Sequence, residues 1–505
     1  VRGVDLLALV LPKILRSNPD QSKLGIRPDN NNQTRGIHSV VKHCPTCSTL
    51  PRQIMAGGLL LLLAGGVQAA VSAEEAAQLG TTLTPIGAEM AGNADGSIPA
   101  WSGGLPQDLA PPGYKPGDTF LPDPFAGEQP VLVITGQNVE LHKDRLTAVT
   151  QELLRRYPSY RVDVYPTHRS VPLAEHQIAN ARQNAVNART AEGGLALENA
   201  LPGVAFPIPK TGNEAMWNHL FGVSGLLDHE FNTRYESWNV ASDGRPILAT
   251  SGEVWGGSPL ATSANINRVV GPKDVYARIK VRYSAPARRS GEAIMGQDAV
   301  NPMVQPRRAW QYLPGQRRVK LAPDIAHDTP NPGTAGSSTY DDVNIFNGSM
   351  ERFDFKLVGK KEMYIPYNNY KLNYEEVPAK FITANHLDPD YLRWELHRVW
   401  VVEATLKPGK RHIYKTRIFY LDEDSWRALA SDQYDERGGL FRGGFSHGVV
   451  DWHHRTGAGS SVIYDLIAGR YNASGIFGPF GGIKLIKPLS KAQWAPESLA
   501  GAGIR

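Results

Sequence analysis

Residues 275–283 alternate almost without exception. Val275, Ala277, Ile279, Val281 and Tyr283 fall on one side, and Tyr276, Arg278, Lys280 and Arg282 on the other. A period of two, with an apolar row and a polar row, is the pattern of a half-buried antiparallel strand. Similar runs follow at 307–313, 317–321, 353–364, 398–406 and 414–422. Lys407-Pro408-Gly409-Lys410 joins two of them as a hairpin, and Asp422-Glu423-Asp424 turns the chain after the last. Strands in series with short turns predict a meander rather than crossovers. The expected fold is therefore β-rich α+β, built on one large curved antiparallel sheet. Such a sheet either wraps around helices or leaves a concave apolar face, and the second outcome gives a site for a hydrophobic ligand.

The helices expected on the concave side come earlier in the chain. Residues 138–157 read as one helix closed by Pro158, with Val139, Leu146, Val149 and Leu153 on a shared face. A more polar helix lies within 175–198, and a short one over 211–221 carries Met216, Trp217 and Leu220. Residues 85–130 are rich in Pro and Gly, from Pro85 through the pair Pro111-Pro112 to Pro130. Proline lacks a ladder donor and fixes φ, so this part is expected to wrap a core in extended form. The resulting organisation is 74–243 as Pro-rich wrap and helices and 244–505 as sheet, in one continuous domain.

Ahead of both lies an apolar run in an unusual place. Five leucines at 59–63 follow Met55 and a basic flank that includes Arg52, and small residues lead to Val71-Ser72-Ala73 before Glu74-Glu75. That is the layout of a secretory signal peptide over 55–73, and the run is shorter than the ~20 apolar residues of a bilayer span. Cleavage is expected after Ala73, with Ala69 as the alternative. Residues 1–54 mix Pro, Asn and charge without periodicity and read as an upstream extension, with Met55 as the start. Removing the eight basic and three acidic residues of 1–73 from totals of 54 and 49 leaves 46 of each. A neutral exported chain has no nucleic-acid footprint. Cys44 and Cys47 form a lone CxxC that would leave with the leader, so a redox or zinc role is not expected.

Gly444-Phe445-Ser446-His447-Gly448 matches G-x-S-x-G, which would make Ser446 the nucleophile of an esterase. No apolar strand precedes it and no separate acid and histidine follow, so a glycine-rich turn is the preferred reading. His447, His453 and His454 beside Asp451 lack a metal-ligand spacing. Asp341-Asp342 and Glu375-Glu376 read as turn residues. No catalytic residue, metal or cofactor is expected. The aromatic and apolar strand residues Trp310, Tyr312, Trp400, Val402 and Phe419 are the candidates for lining an apolar cavity.

Several segments carry a family resemblance. They include Leu83-Thr84-Pro85-Ile86-Gly87-Ala88-Glu89, Arg161-Val162-Asp163-Val164-Tyr165-Pro166-Thr167-His168-Arg169, Phe206-Pro207-Ile208-Pro209-Lys210 with Ala215-Met216-Trp217-Asn218-His219, and Lys360-Lys361-Glu362-Met363-Tyr364-Ile365-Pro366-Tyr367-Asn368-Asn369-Tyr370. Over essentially all of 74–505 the chain resembles a proteobacterial family of exported proteins of unknown function, labelled outer-membrane lipoprotein-sorting proteins and related to LolA and LolB. The resemblance implies an incomplete antiparallel barrel with an apolar cavity for acyl chains. It implies a periplasmic, non-catalytic carrier or chaperone of a lipid or other hydrophobic molecule. The partners implied are an outer-membrane barrel protein and an inner-membrane exporter of hydrophobes. A structural adaptor for such proteins is the alternative, and a Ser446 esterase the third reading.

Overall fold

The alternating segment is a strand, and its neighbours in sequence are its neighbours in space. In this computed structural model, residues 71–115 and 117–501 are described. The upstream extension, most of the leader and both cysteines lie outside them. In chain order the strands are Leu132–Ile134 (β1), Val162–Val164 (β2), Arg189–Ala191 (β3), Ala196–Glu198 (β4), Glu230–Val240 (β5), Pro246–Gly257 (β6), Val275–Ala285 (β7), Ala293–Ala299 (β8) and Arg308–Leu313 (β9). Then come Arg318–Leu321 (β10), Phe353–Pro366 (β11), Trp394–Leu406 (β12), Thr416–Asp422 (β13), Ala428–Tyr434 (β14), Leu440–Asp451 (β15), Thr456–Asp465 (β16), Arg470–Ile476 (β17) and Lys484–Ile486 (β18). The α-helices are Ala73–Ala76 (α1), Val139–His142 (α2), Ala148–Arg156 (α3), Glu175–Asn187 (α4), Gly212–Phe221 (α5) and Tyr370–Asn373 (α6).

β3 and β4 form a separate hairpin, and every other strand joins one sheet. β5 to β10 make one antiparallel meander and β11 to β17 a second. The two fuse where β17 pairs with β5, from Tyr471↔Val240 to Ser474↔Ser237 before a bulge. β2 meets β12 in a single parallel pair, Trp394↔Val164. β1 and β10 end the path without pairing to each other, so the sheet stays open, as an incomplete barrel does. β5 sits between β17 and β6, so the sheet begins before residue 244. Its polar sequence, with Asn232, Thr233, Arg234, Glu236 and Ser237, hides it from a hydrophobic pattern search.

Helices cover both faces of the second meander, not the concave face alone. Val149 and Leu153 of α3 share a core with Val399, Val401, Tyr420 and Phe445. Met216, Trp217 and Phe221 of α5 share another with Val402, Ala404, Phe419 and Leu421, which point the opposite way from the same strands. The helix expected over 138–157 is interrupted. Thr147 starts α3 as its N-cap, accepting from the Thr150 amide at 3.1 Å. The Asp432 carboxylate takes the next amides, Ala148 at 2.9 Å and Val149 at 3.0 Å.

Residues 85–130 form the extended wrap, with neither helix nor multi-residue strand. Tryptophans of the sheet pin it down: Trp426 Nε1 donates to Ile86 O at 2.9 Å and Trp452 Nε1 to Leu109 O at 2.9 Å. Buried arginines hold its carbonyls as well, Arg169 on Glu89 O at 2.7 Å and Arg398 on Ala91 O at 3.0 Å. Gly87 is required where the wrap crosses residue 207. Its φ is +94°, and a Cβ there would lie 1.7 Å from Pro207 O.

Candidate functional site: a cavity on the concave face

The apolar row read from β7 divides: Ala277 packs against the cluster that holds α5, as does Tyr276 past a bulge, and the rest of the row meets no α-helix among the described residues. Ile279, Val281 and Tyr283 face a cavity of about 850 Å³. The polar row on the other side of β7 is taken up by tryptophans: Arg278 lies 4.4 Å from the Trp494 ring and Lys280 5.0 Å from that of Trp255.

Register explains why this part of the face is hollow. Opposite Tyr283, Val281 and Ile279, β6 presents Gly252, Val254 and Gly256. Farther across, Ser461 of β16, Ser474 of β17 and Ser237 of β5 sit side by side. Glycine and serine leave space where β12 and β13 place Val402, Phe419 and Leu421 on the same face. There α5 and Phe346 fill the volume, and among the described residues no α-helix lies over the Gly/Ser rows. The cavity is roofed instead by loop residues Asn331, Thr334 and Val343, and by Leu121, Ile483 and Leu485. Asn239 of β5 donates to Thr334 O at 3.1 Å, which ties the roof to the wall.

That roof is clamped by a buried ion cluster. Arg417 of β13, fully inaccessible, donates to Asp341 at 2.9 Å and Asp342 at 3.1 Å. Asp341 is hydrogen-bonded to His412 at 3.0 Å and accepts from Thr339 at 2.6 Å. Asp342 accepts from Tyr414 at 2.8 Å and from Gln433 at 2.9 Å. Burial alone would raise the Asp341 pKa, but Arg417 and His412 more than reverse this and hold it far below the carboxylate range. The aspartates read from sequence as turn residues are therefore anchors, in a 3₁₀ turn whose following residues, Val343 and Asn344, line the cavity.

None of the five cavity candidates read from sequence borders this space. Trp400 stacks on Trp426 with ring centroids 5.8 Å apart. Phe419 packs edge-on against Phe346 at 5.4 Å, and Val402 shares its core. These three are on the concave face, in its filled half. Trp310 and Tyr312 lie on the opposite face, because β9 pairs them with Met295 and Ala293, where Trp494 and Leu499 cover them. The residues missed, Ser237, Ser461, Ser474 and the β6 glycines, carry a signal of their own: small residues that face one side of adjacent strands and meet across them.

The G-x-S-x-G stretch is not a turn. It runs through the middle of β15, with Ser446 opposite Ser461 on β16. Ser446 makes no hydrogen bond to a histidine among the described residues. His447 points to the other face, where burial pushes its pKa down to about 3 and Nδ1 has no partner. His454 Nδ1 is hydrogen-bonded to Asp451 at 2.8 Å, and both line the cavity. His168 is hydrogen-bonded to Glu128 at 2.6 Å, and His219, half-buried at a smaller neighbouring cavity, is hydrogen-bonded to Phe346 O at 2.9 Å. Among the described residues no nucleophile, base and acid of these motifs converge.

His397, Asp422 and Asp424 bring donor atoms within 4.8 Å of one another, all buried. Most of their donor atoms are engaged, and Oδ1 of Asp422 alone is buried without a partner. Arg169 grips Asp424 at 2.8 and 2.6 Å, Ser425 and Tyr367 donate to Asp422 at 2.6 and 3.2 Å, and His397 Nε2 lies 3.0 Å from Glu395. Burial and the neighbouring Asp424 push the Asp422 pKa up to about 6. This group works as a polar core.

A profile described as a protein of unknown function, DUF1329, matches residues 133–500. The chain belongs to the DUF1329 family. The uncharacterized protein PA3922 of Pseudomonas aeruginosa is 42% identical over 464 residues, covering 88% of this chain and 97% of that protein. Among solved structures, a DUF1329 protein from Desulfovibrio piger overlaps 54% of this chain and 91% of its own, at 14% identity and a TM-score of 0.35. The LolA superfamily protein NE2245 from Nitrosomonas europaea overlaps 57% of this chain and 99% of its own, at 12% identity and a TM-score of 0.33. Overlaps this loose say nothing about the ligand of this DUF1329 chain. A second, smaller cavity of about 320 Å³ lies beside the first and shares Asn344, Arg427, Val449, Thr456 and Gly457 with it.

Proposed function

We propose that this protein is a non-catalytic carrier or chaperone that shelters a hydrophobic molecule in the concave-face cavity. The observation that carries the reading is the 850 Å³ space walled by Val254, Ile279, Val281 and Tyr283, within the ~300–1,000 Å³ typical of ligand sites. Each methylene moved from water into it gains about 0.8 kcal/mol, so a modest alkyl chain supplies useful affinity. Release then needs a partner or a conformation that favours the empty state. The leader expected at 55–73 supports a periplasmic location, between an inner-membrane exporter of hydrophobes and an outer-membrane barrel protein as candidate partners. Among the described residues no helix is long and apolar enough to cross a membrane. The test is native mass spectrometry and solvent extraction of protein purified from the periplasm. A co-purifying hydrophobe supports the reading, and protein that emerges empty and takes up no alkyl probe refutes it.

A further inference from the structure

One cation at the cavity makes no ion pair among the described residues. Arg427 stands in the turn between β13 and β14 and borders both the 850 Å³ and the 320 Å³ cavities. Among the described residues its guanidinium donates no hydrogen bond and meets no carboxylate at ion-pair distance. The other charged groups facing the large cavity differ. Asp342 is held by Arg417, Tyr414 and Gln433, and Asp451 by His454. Asp118 and Lys484 are exposed.

The turn holds Arg427 rigidly. Asp422 N donates to Arg427 O at 2.9 Å, Trp426 N to Asp422 O at 2.8 Å, and Arg427 N to Ser425 Oγ at 3.3 Å. Trp426 adopts φ +60° to close it. Across the cavity junction, β16 offers Gly457, where a Cβ would come within 2.6 Å of Arg427 Nη1. The strand thus makes room for the guanidinium. Burial lowers the Arg427 pKa, with Tyr367 and Asp422 acting in the opposite sense from beyond ion-pair reach. Guanidinium stays charged in proteins, and half-buried Arg427 presents that charge to the cavity, where an anionic head can pair with it.

We infer that the cavity takes an anionic amphiphile, its apolar chain along Val254, Val281 and Ile463 and its carboxylate or phosphate head on Arg427. The planar fork suits either head by two parallel N–H···O bonds. This rests on the hydrophobe-carrier reading above and adds the charge of the cargo.

Calorimetric titration with laurate, dodecyl phosphate and neutral 1-dodecanol separates the two claims. Wild-type protein should bind an anionic probe about tenfold or more tighter than dodecanol, the scale of one charge-assisted pair. Whichever head is preferred names the source. Arg427→Gln should bring the anions level with dodecanol while dodecanol binding persists, and Arg427→Lys should keep part of the preference. Equal binding of all three by the wild type overturns the anionic head yet leaves the carrier reading standing. No binding of any probe overturns both. The wild-type comparison decides even if a variant fails to fold.

Discussion

Replacing Arg417 by Met removes the guanidinium that pairs with two buried carboxylates. Asp341 would keep His412 and Thr339, and Asp342 would keep Tyr414 and Gln433, but the charge that offsets their burial would be gone. The Asp341 and Ile345 carbonyls, 3.4 and 3.3 Å from Arg417 Nη2, would lose a donor too. Breaking one side of a buried ion pair typically costs 3–5 kcal/mol, so about 3–5 kcal/mol of unfolding free energy should be lost at pH 7. Urea unfolding followed by tryptophan fluorescence reads this as a lower midpoint at unchanged slope. The sign with pH is fixed. The Asp341 pKa is depressed in the folded state, so the stability it confers is full above about pH 4 and is lost as pH falls below that. The gap between wild type and variant should therefore narrow toward pH 3. Adding Asp341→Asn and Asp342→Asn to Arg417→Met should recover part of the loss, since a neutral cluster needs no cation. A cost under about 1 kcal/mol at pH 7 would refute the idea that this cluster clamps the roof.

Other expectations follow from separate features. Gly87→Ala should destabilise by more than about 1 kcal/mol in the same urea assay, through its clash with Pro207 O and its positive φ; a neutral result would mean the wrap is held loosely. Burial pushes the His219 pKa down to about 4 and that of His447 to about 3. Unfolded histidines bind protons near pH 6.5, so stability should fall as pH drops from about 6.5 toward 4, and less steeply in His447→Leu. A flat profile over that window would contradict the neutral burial of both. Ser72 caps α1 through Glu75 N at 3.1 Å, and Val71 is buried beside Leu79 and Ala185. Processing should spare both, so the mature N-terminus from intact-mass analysis should be Ala70; a start at Glu74 would show that the cap is dispensable.

The sequence was most legible where strands alternate. β7, β9 to β13 and the hairpin at Lys407–Lys410 emerge from runs of apolar and alternating residues bounded by turn signals, although β12 and β13 are packed on both faces. β5, β14, β16 and β17 were harder to see, since Ser, Asn, Thr and Gly fill positions a buried strand usually gives to Val or Ile. Those same residues make the hollow. Seeking a ligand cavity among the largest aromatics led to Trp400 and Phe419, which fill space, and away from Ser461 and Gly252, which leave it. Strand parity assigns residues to faces, but which half of a face a helix covers depends on pairings such as β17 with β5, some 230 residues apart in the chain. The isolation of Arg427 is likewise a three-dimensional fact: Asp422 and Asp424 precede it closely in sequence, yet Asp424 is committed to Arg169.

Saturable uptake of the neutral fluorescent hydrophobe N-phenyl-1-naphthylamine by wild type and by Val281→Trp tests the carrier proposal most directly. Val281 faces the cavity from the middle of β7, so the indole should occupy the space a ligand needs while leaving the urea midpoint nearly unchanged. The account predicts one-to-one fluorescence enhancement in the wild type and its loss in the folded variant. Equal uptake by both would place the bound probe elsewhere on the protein and contradict it.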